Sequence, residues 1–199
     1  MIAVIDYGMG NIFSIRNALE KVGAEVKIIT QPKELDNADG IIIPGVGSFG
    51  NAMEQLLPCE EKITSAIEDG IPFLGICLGI QILFERSQES PESGFGIIKG
   101  EVIRLPDNVL VPQMGWNELN IKKAAGILEG IENGDFFYFV HSYHCVPEDK
   151  NGVIATTEYG TEVVAVINQD NIYAVQFHPE KSGEKGLLLL KNFLMNIKC

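Results

Sequence analysis

Three residues of this 199-residue chain are placed to do covalent chemistry together. Cys77 lies in Gly75-Ile76-Cys77-Leu78-Gly79. Glycine, x, nucleophile, x, glycine is the spacing of the sharp strand-to-helix turn that presents a nucleophile. In so tight a turn, a side chain two residues before or after the nucleophile would clash, so both places favour glycine. A thiol there sits at a helix N-terminus, where unpaired N–H groups and the helix dipole favour the thiolate. Taken alone, the stretch also reads as a buried cysteine between two chance glycines. A cysteine nucleophile needs a base, and the base needs a group to orient it. His178 follows the apolar run Ile172–Phe177 and precedes Pro179-Glu180. Proline biases the residue before it to an extended conformation. The spacing lets the Glu180 carboxylate reach the far imidazole nitrogen and hold one tautomer. The pattern predicts Cys77 as nucleophile, His178 as base and Glu180 as its orienting acid.

The elements that must position these groups follow from the apolar pattern. Ile71–Cys77 is an apolar run opened by Pro72 and reads as a buried parallel strand. Leu78–Glu85 has helical spacing. The chain opens with a strand at Ile2–Asp6, a glycine-rich turn at Tyr7–Asn11 and a helix over Ile12–Val22 stopped by Gly23. A second strand follows at Glu25–Ile29. This β-α-β opening predicts an α/β fold with a parallel sheet. Gly8-x-Gly10 lacks the third glycine of a dinucleotide fingerprint, because Phe13 takes that place. A third strand, Gly40–Ile43, ends in the loop Pro44–Gly50. That loop is either a plain turn or one whose backbone N–H groups face an oxyanion. Helical stretches follow around Ala52–Leu57 and Glu60–Asp69. Ser87–Gly96 is polar and loop-like, and Gly100–Leu105, Val109–Pro112 and Trp116–Ile121 read as short strands of an antiparallel excursion. Asp135–Val140, Val153–Thr157, Val163–Asn168 and Asn171–Phe177 complete the strands, the last two as a hairpin across Gln169-Asp170, and Gly186–Ile197 is an amphipathic helix. No linker divides the chain, which predicts one domain over residues 1–199.

Composition narrows the partners. Hydrophobic residues make up 46% and charged residues 21%, the balance of a soluble globular protein. The net charge of −12 argues against nucleic acid and against an anionic membrane surface. The N-terminus lacks a basic n-region, and no apolar run approaches the roughly 20 residues of a membrane span. A cytoplasmic location follows as the expectation. The four cysteines, 59, 77, 145 and 199, have no framework spacing and read as free thiols. His141 and His144 would point to opposite faces of one strand, and no cysteine or acidic cluster completes a metal site around them.

Gly75-Ile76-Cys77-Leu78-Gly79-Ile80-Gln81, with His178-Pro179-Glu180 downstream, resembles the class I (triad) glutamine amidotransferases. Asp6–Asn11, Pro44–Gly47, Pro112–Asn117, Tyr138–Tyr143 and His178–Lys181 resemble one branch of that family, a glutaminase subunit that serves a (β/α)8 cyclase. The resemblance runs from residue 1 to the C-terminal helix. It implies a flavodoxin-like α/β domain that hydrolyses glutamine through a cysteinyl thioester, passes ammonia to its partner as a heterodimer and needs no cofactor. It also implies site roles. Leu78 and the Val46-Gly47 peptide would supply oxyanion donors. Gly45, Gln81, Glu89, His141, Ser142 and Tyr143 would line the glutamine pocket. Asn11, Trp116, Tyr138 and Lys181 would lie at the partner interface, although Trp116 and Tyr138 alone would be read as core aromatics. Competing readings are a glutaminase subunit of the anthranilate or pyridoxal phosphate type, a self-sufficient γ-glutamyl hydrolase, and a non-catalytic flavodoxin-like binding module. The anthranilate type typically carries histidine where this chain has Ile80.

Overall fold

The computed structural model describes residues 1–197, so Cys199 lies outside the described residues. The elements run β1 (Ile2–Ile5), α1 (Ile12–Lys21), β2 (Val26–Ile29), β3 (Gly40–Gly45), α2 (Phe49–Leu56) and α3 (Glu60–Glu68). Next come β4 (Phe73–Cys77), α4 (Leu78–Gln81), β5 (Phe84–Ser87), β6 (Ser90–Ser93), β7 (Ile98–Arg104), β8 (Gln113–Glu118) and β9 (Asn120–Ile121). The chain continues through β10 (Phe136–His141), β11 (Tyr143–Pro147), β12 (Val153–Glu158), β13 (Glu162–Gln169), β14 (Ile172–Val175) and α5 (Gly183–Ile197).

The main sheet has the order β2-β1-β3-β4-β14-β13-β12-β9. Its first five strands pair in parallel, and the last three continue it antiparallel. The order 2-1-3-4 beside a further parallel strand is the flavodoxin-like winding, as the β-α-β opening predicts. Strand alternation sorts the core. Ala3, Ile5, Ile41 and Ile43 pack on one face with α2 and α3, and Ile2, Val4, Ile42 and Leu74 pack on the other with α1 and α5. Such two-sided burial explains why these strands read as continuous apolar runs. Among the described residues, no helix is long and apolar enough to cross a membrane.

The structure departs from the sequence reading after the elbow. The helix expected over Leu78–Glu85 stops at Gln81, and Phe84–Ser87 is a strand. Ile80, Ile82, Leu83 and Phe84 are all buried, so the stretch has no solvent face for a helix to present. Its backbone turns instead to the next segment, with Phe95 N–H donating to the Ile82 carbonyl and Ile98 N–H to that of Leu83. The expected loop 87–96 holds β6, which pairs with β5, and β11-β7-β5-β6 forms a separate four-stranded sheet. Residues 109–112 form no strand. Prolines 106 and 112 bracket them, Leu110 is exposed, and its carbonyl accepts from the Tyr159 hydroxyl rather than from a ladder. The final hairpin turns at Asp170-Asn171, one residue later than expected, with Asp170 at φ +51°. Aspartate tolerates that left-handed conformation better than most side chains.

Candidate active site

β4 delivers Cys77 to the carboxyl edge of the parallel sheet. Cys77 has φ +55°, a strained conformation for a residue with a side chain. The flanking glycines are needed by contact: a Cβ on Gly75 would press into the Gly79 carbonyl, and one on Gly79 into the Ile43 carbonyl. The next strand, β14, is parallel to β4 with Val175 opposite Ile76, so His178 emerges at the same edge. Its Nδ1 lies 2.8 Å from Glu180 Oε1 in a buried pair. The other nitrogen, Nε2, is buried and makes no well-formed hydrogen bond. It interacts with the Cys77 sulfur by charge and then by a loose hydrogen bond. Burial pulls the His178 pKa down, but the Cys77 thiolate and then Glu180 raise it to about 10. A proton held on the His178 ring at neutral pH is the state this arrangement favours.

A cavity of about 270 Å³ opens over the sulfur. Val46, Gly47, Leu78, Gln81, Glu89, His141, Ser142 and Tyr143 line it, together with Pro112 and Val140, to which the sequence assigned no pocket role. β3 brings the Val46-Gly47 peptide here, because Gly45 pairs with Cys77 across the parallel ladder. Gly45 itself lies behind the wall, where a Cβ would strike the Tyr7 hydroxyl and Leu78. Gly47 holds φ +106°, which favours glycine. Leu78 N–H opens α4 and has no intrahelical partner.

The remaining predicted residues are held by specific bonds. Glu89 Oε2 accepts from Phe49 N–H at 2.7 Å, so this wall carboxylate also satisfies the start of α2. Gln81 is buried and donates from Nε2 to the Tyr143 carbonyl at 3.0 Å. His141 Nδ1 lies 2.9 Å from the same carbonyl, and its Nε2 lies 2.9 Å from the Gln113 side chain. Burial lowers the His141 pKa to about 4, so it is a neutral wall residue. The chain breaks its ladder at Ser142, so His141 and His144 belong to two strands in two sheets rather than to opposite faces of one strand.

Two contacts to the sulfur went unforeseen. Cys77 Sγ lies 3.6 Å from the Val140 carbonyl, and Gln176 Nε2 lies 3.8 Å from Sγ. The signal for Gln176 was an amide within the otherwise apolar end of a core strand. Trp116 is a correction to its reading as a core aromatic, since it is 56% exposed. It stands opposite Tyr138 on the outer face of the β8–β10 ribbon, ring centroids 6.1 Å apart at 76°. The inner face of β10 is taken by Phe137 and Phe139, which pack on Phe177. Lys181 Nζ sits 5.8 Å from the Tyr138 ring centre, within cation–π range. Asn11 is exposed, and its side-chain oxygen accepts from Ser14 N–H to cap α1.

A nucleophile elbow with a paired imidazole and carboxylate, on a flavodoxin-like sheet, defines an enzyme that transfers an acyl group through cysteine. The chain belongs to the glutamine amidotransferase class-I family, whose sequence model matches residues 3–197. It is 51% identical, over the whole of both chains, to the imidazole glycerol phosphate synthase subunit HisH of Caldanaerobacter subterraneus subsp. tengcongensis. It is 54% identical to the protein of the same name from Aquifex aeolicus, covering 96% of this chain and 94% of that one. Among solved structures, PurLQS from Thermotoga maritima matches with a TM-score of 0.79 at 22% identity, over 98% of this chain and 97% of that one, a likeness of fold.

Proposed function

We infer that this chain is the glutaminase subunit of imidazole glycerol phosphate synthase, in histidine biosynthesis. It releases ammonia from glutamine and delivers it to the synthase. The observation that carries the reaction is the His178–Glu180 pair at 2.8 Å, with the free Nε2 turned to the charge on Cys77 at the base of the cavity. In this reading the Cys77 thiolate attacks the side-chain amide carbon of glutamine. The oxygen gains negative charge toward Leu78 N–H and the Val46-Gly47 peptide. As the C–N bond breaks, His178 gives its proton to the departing ammonia, leaving a γ-glutamyl thioester. Water then loses a proton to His178 Nε2 and attacks the thioester carbon. The C–S bond breaks, sulfur takes back the electron pair, and glutamate leaves. Glu180 keeps Nδ1 protonated and the ring in place throughout. Gln81, Glu89, His141, Ser142 and Tyr143 line and hold the glutamine site, and Gly45 backs its wall.

The partner in this reading is a (β/α)8 cyclase, in a heterodimer, in the cytoplasm, with residues 1–199 acting as one amidotransferase domain. The exposed Trp116, the Tyr138 it faces, Lys181 and Asn11 are the residues proposed to meet it. The test is Cys77→Ala in the assembled synthase. Glutamine-dependent ring closure is lost, while synthesis from added ammonium salt persists. Loss of both activities in a folded, assembled complex overturns the division of labour.

A further inference from the structure

We propose that Gln176 is a further catalytic residue: its side-chain N–H donates to the Cys77 sulfur and stabilises the thiolate. The proposal rests on Cys77 being the nucleophile. Gln176 has no solvent exposure, and its Nε2 lies 3.8 Å from Sγ. A primary amide has two ends, one that accepts and one that donates, so the question is which end meets the sulfur.

The neighbours decide it. The Tyr143 carbonyl can only accept, so the end of Gln81 that lies 3.0 Å from it is the NH2. The same nitrogen lies 3.3 Å from the Gln176 amide, and there it also donates. Gln176 therefore turns its oxygen to Gln81 and its NH2 to sulfur. The order of donation runs from Gln81 to Tyr143 and Gln176, and from Gln176 to Cys77. It cannot be reversed without placing two donors or two acceptors face to face in a buried setting, which is costly.

A donor held against sulfur favours the charged form over the thiol. Its contribution differs from that of His178. The imidazolium surrenders its proton to departing ammonia, whereas the amide keeps its N–H through the whole cycle. When water later breaks the C–S bond and the electron pair returns to sulfur, the Gln176 N–H is already in place to receive it.

The test reads Cys77 alkylation by iodoacetamide against pH, with the site identified by mass spectrometry, so it does not depend on glutaminase turnover. Gln176→Met keeps the bulk and removes the donor. The pH midpoint of alkylation moves up, and the rate at pH 6 falls about tenfold, while the limiting rate at high pH is retained. Gln81→Met frees the Gln176 amide to turn and moves the midpoint the same way by less. The double variant shifts no further than Gln176→Met alone. In the unmutated chain, the Gln176 side-chain amide protons, followed by NMR, shift with the same midpoint as alkylation. That measurement decides the matter if the variants do not fold. An unmoved midpoint in a folded Gln176→Met chain, or amide protons that ignore the titration of the site, overturns the proposal. The expected profile together with no glutaminase activity in the assembled synthase with liganded cyclase would instead count against the proposed function.

Discussion

Tyr138 and His178 hold each other by both of their backbone groups. His178 N–H donates to the Tyr138 carbonyl at 2.9 Å. Tyr138 N–H donates to Ser182 Oγ at 3.0 Å, and that hydroxyl donates to the His178 carbonyl at 2.6 Å. A closed ring of three hydrogen bonds thus ties the strand that carries the outer aromatic pair to the backbone of the imidazole. The ring is buried at Ser182, so water offers no substitute for a missing partner.

Ser182→Ala opens that ring. The Tyr138 N–H loses its acceptor, and stability falls by about 1–3 kcal/mol. The His178 backbone gains freedom, and small misplacements of a catalytic group are costly. Glutamine-dependent turnover is expected to fall by roughly ten- to a hundredfold, with ammonia-dependent synthesis unchanged. Steady-state assays with each nitrogen source, beside a thermal melt, separate the two effects. An unaltered glutaminase rate would show that the ring does not position His178.

His178→Asn and Glu180→Gln should differ in degree. The first removes the proton carrier and costs about 10⁴-fold or more in glutamine turnover, since triad members act as a unit. The second keeps the base and weakens its orientation, so it costs less. Both leave ammonia-dependent synthesis intact. Near-wild-type rates in both variants would mean that another group carries the proton.

The two site histidines should titrate in opposite directions. His178 is raised to about 10, so its contribution to stability is full below about 6.5 and is lost as pH climbs toward 10. His141 is lowered to about 4 by burial, so stability is full above about 6.5 and is lost as pH falls through 4. Histidine NMR titrations beside thermal melts test both. Cys77→Ala removes the leading cause that raises His178, and its midpoint should drop. A His178 midpoint near 6.5 in the unmutated chain would remove the protonated imidazole from the resting state of the mechanism.

The Val46-Gly47 peptide is the proposed second oxyanion donor, and because flanking glycines let the Val46 N–H turn toward or away from the cavity at little steric cost, it is a candidate two-state switch. Gly47→Ala puts a side chain at φ +106°, which strains the loop, while the Met9 methyl end it meets can swing aside. Loss of one oxyanion donor costs about 10²–10³ in rate, and a loss of this order is expected in glutamine hydrolysis alone. The isolated chain should be a poor glutaminase, activated by the cyclase carrying its nucleotide ligand, because only a partner that binds the two loop states unequally can shift them. Assays of the chain alone, with cyclase, and with liganded cyclase decide this. Equal rates in all three would abolish the switch.

The parts whose causes are local were legible in the order of residues. Gly75 is required by its contact with the Gly79 carbonyl within one turn. Apolar runs in the first five strands follow from burial on both faces, and that burial leaves the parallel winding as the natural reading. A strand-end His178 with Glu180 two residues on can form its pair without help from elsewhere. Features that depend on distant neighbours emerged only in the packed fold. Phe84–Ser87 became a strand because residues 95–98 took up the backbone bonds of Ile82 and Leu83. Trp116 is outside because the β8–β10 ribbon gives its inner face to Phe137 and Phe139. Gln176 meets Cys77 across 99 positions of sequence, through strand pairing that sets Val175 beside Ile76. Its orientation is then set by Gln81 and Tyr143, from two other elements. Side-chain periodicity reports which face of an element is buried. It carries no information on which buried polar group another will find there, because that partner arrives only when the sheet closes.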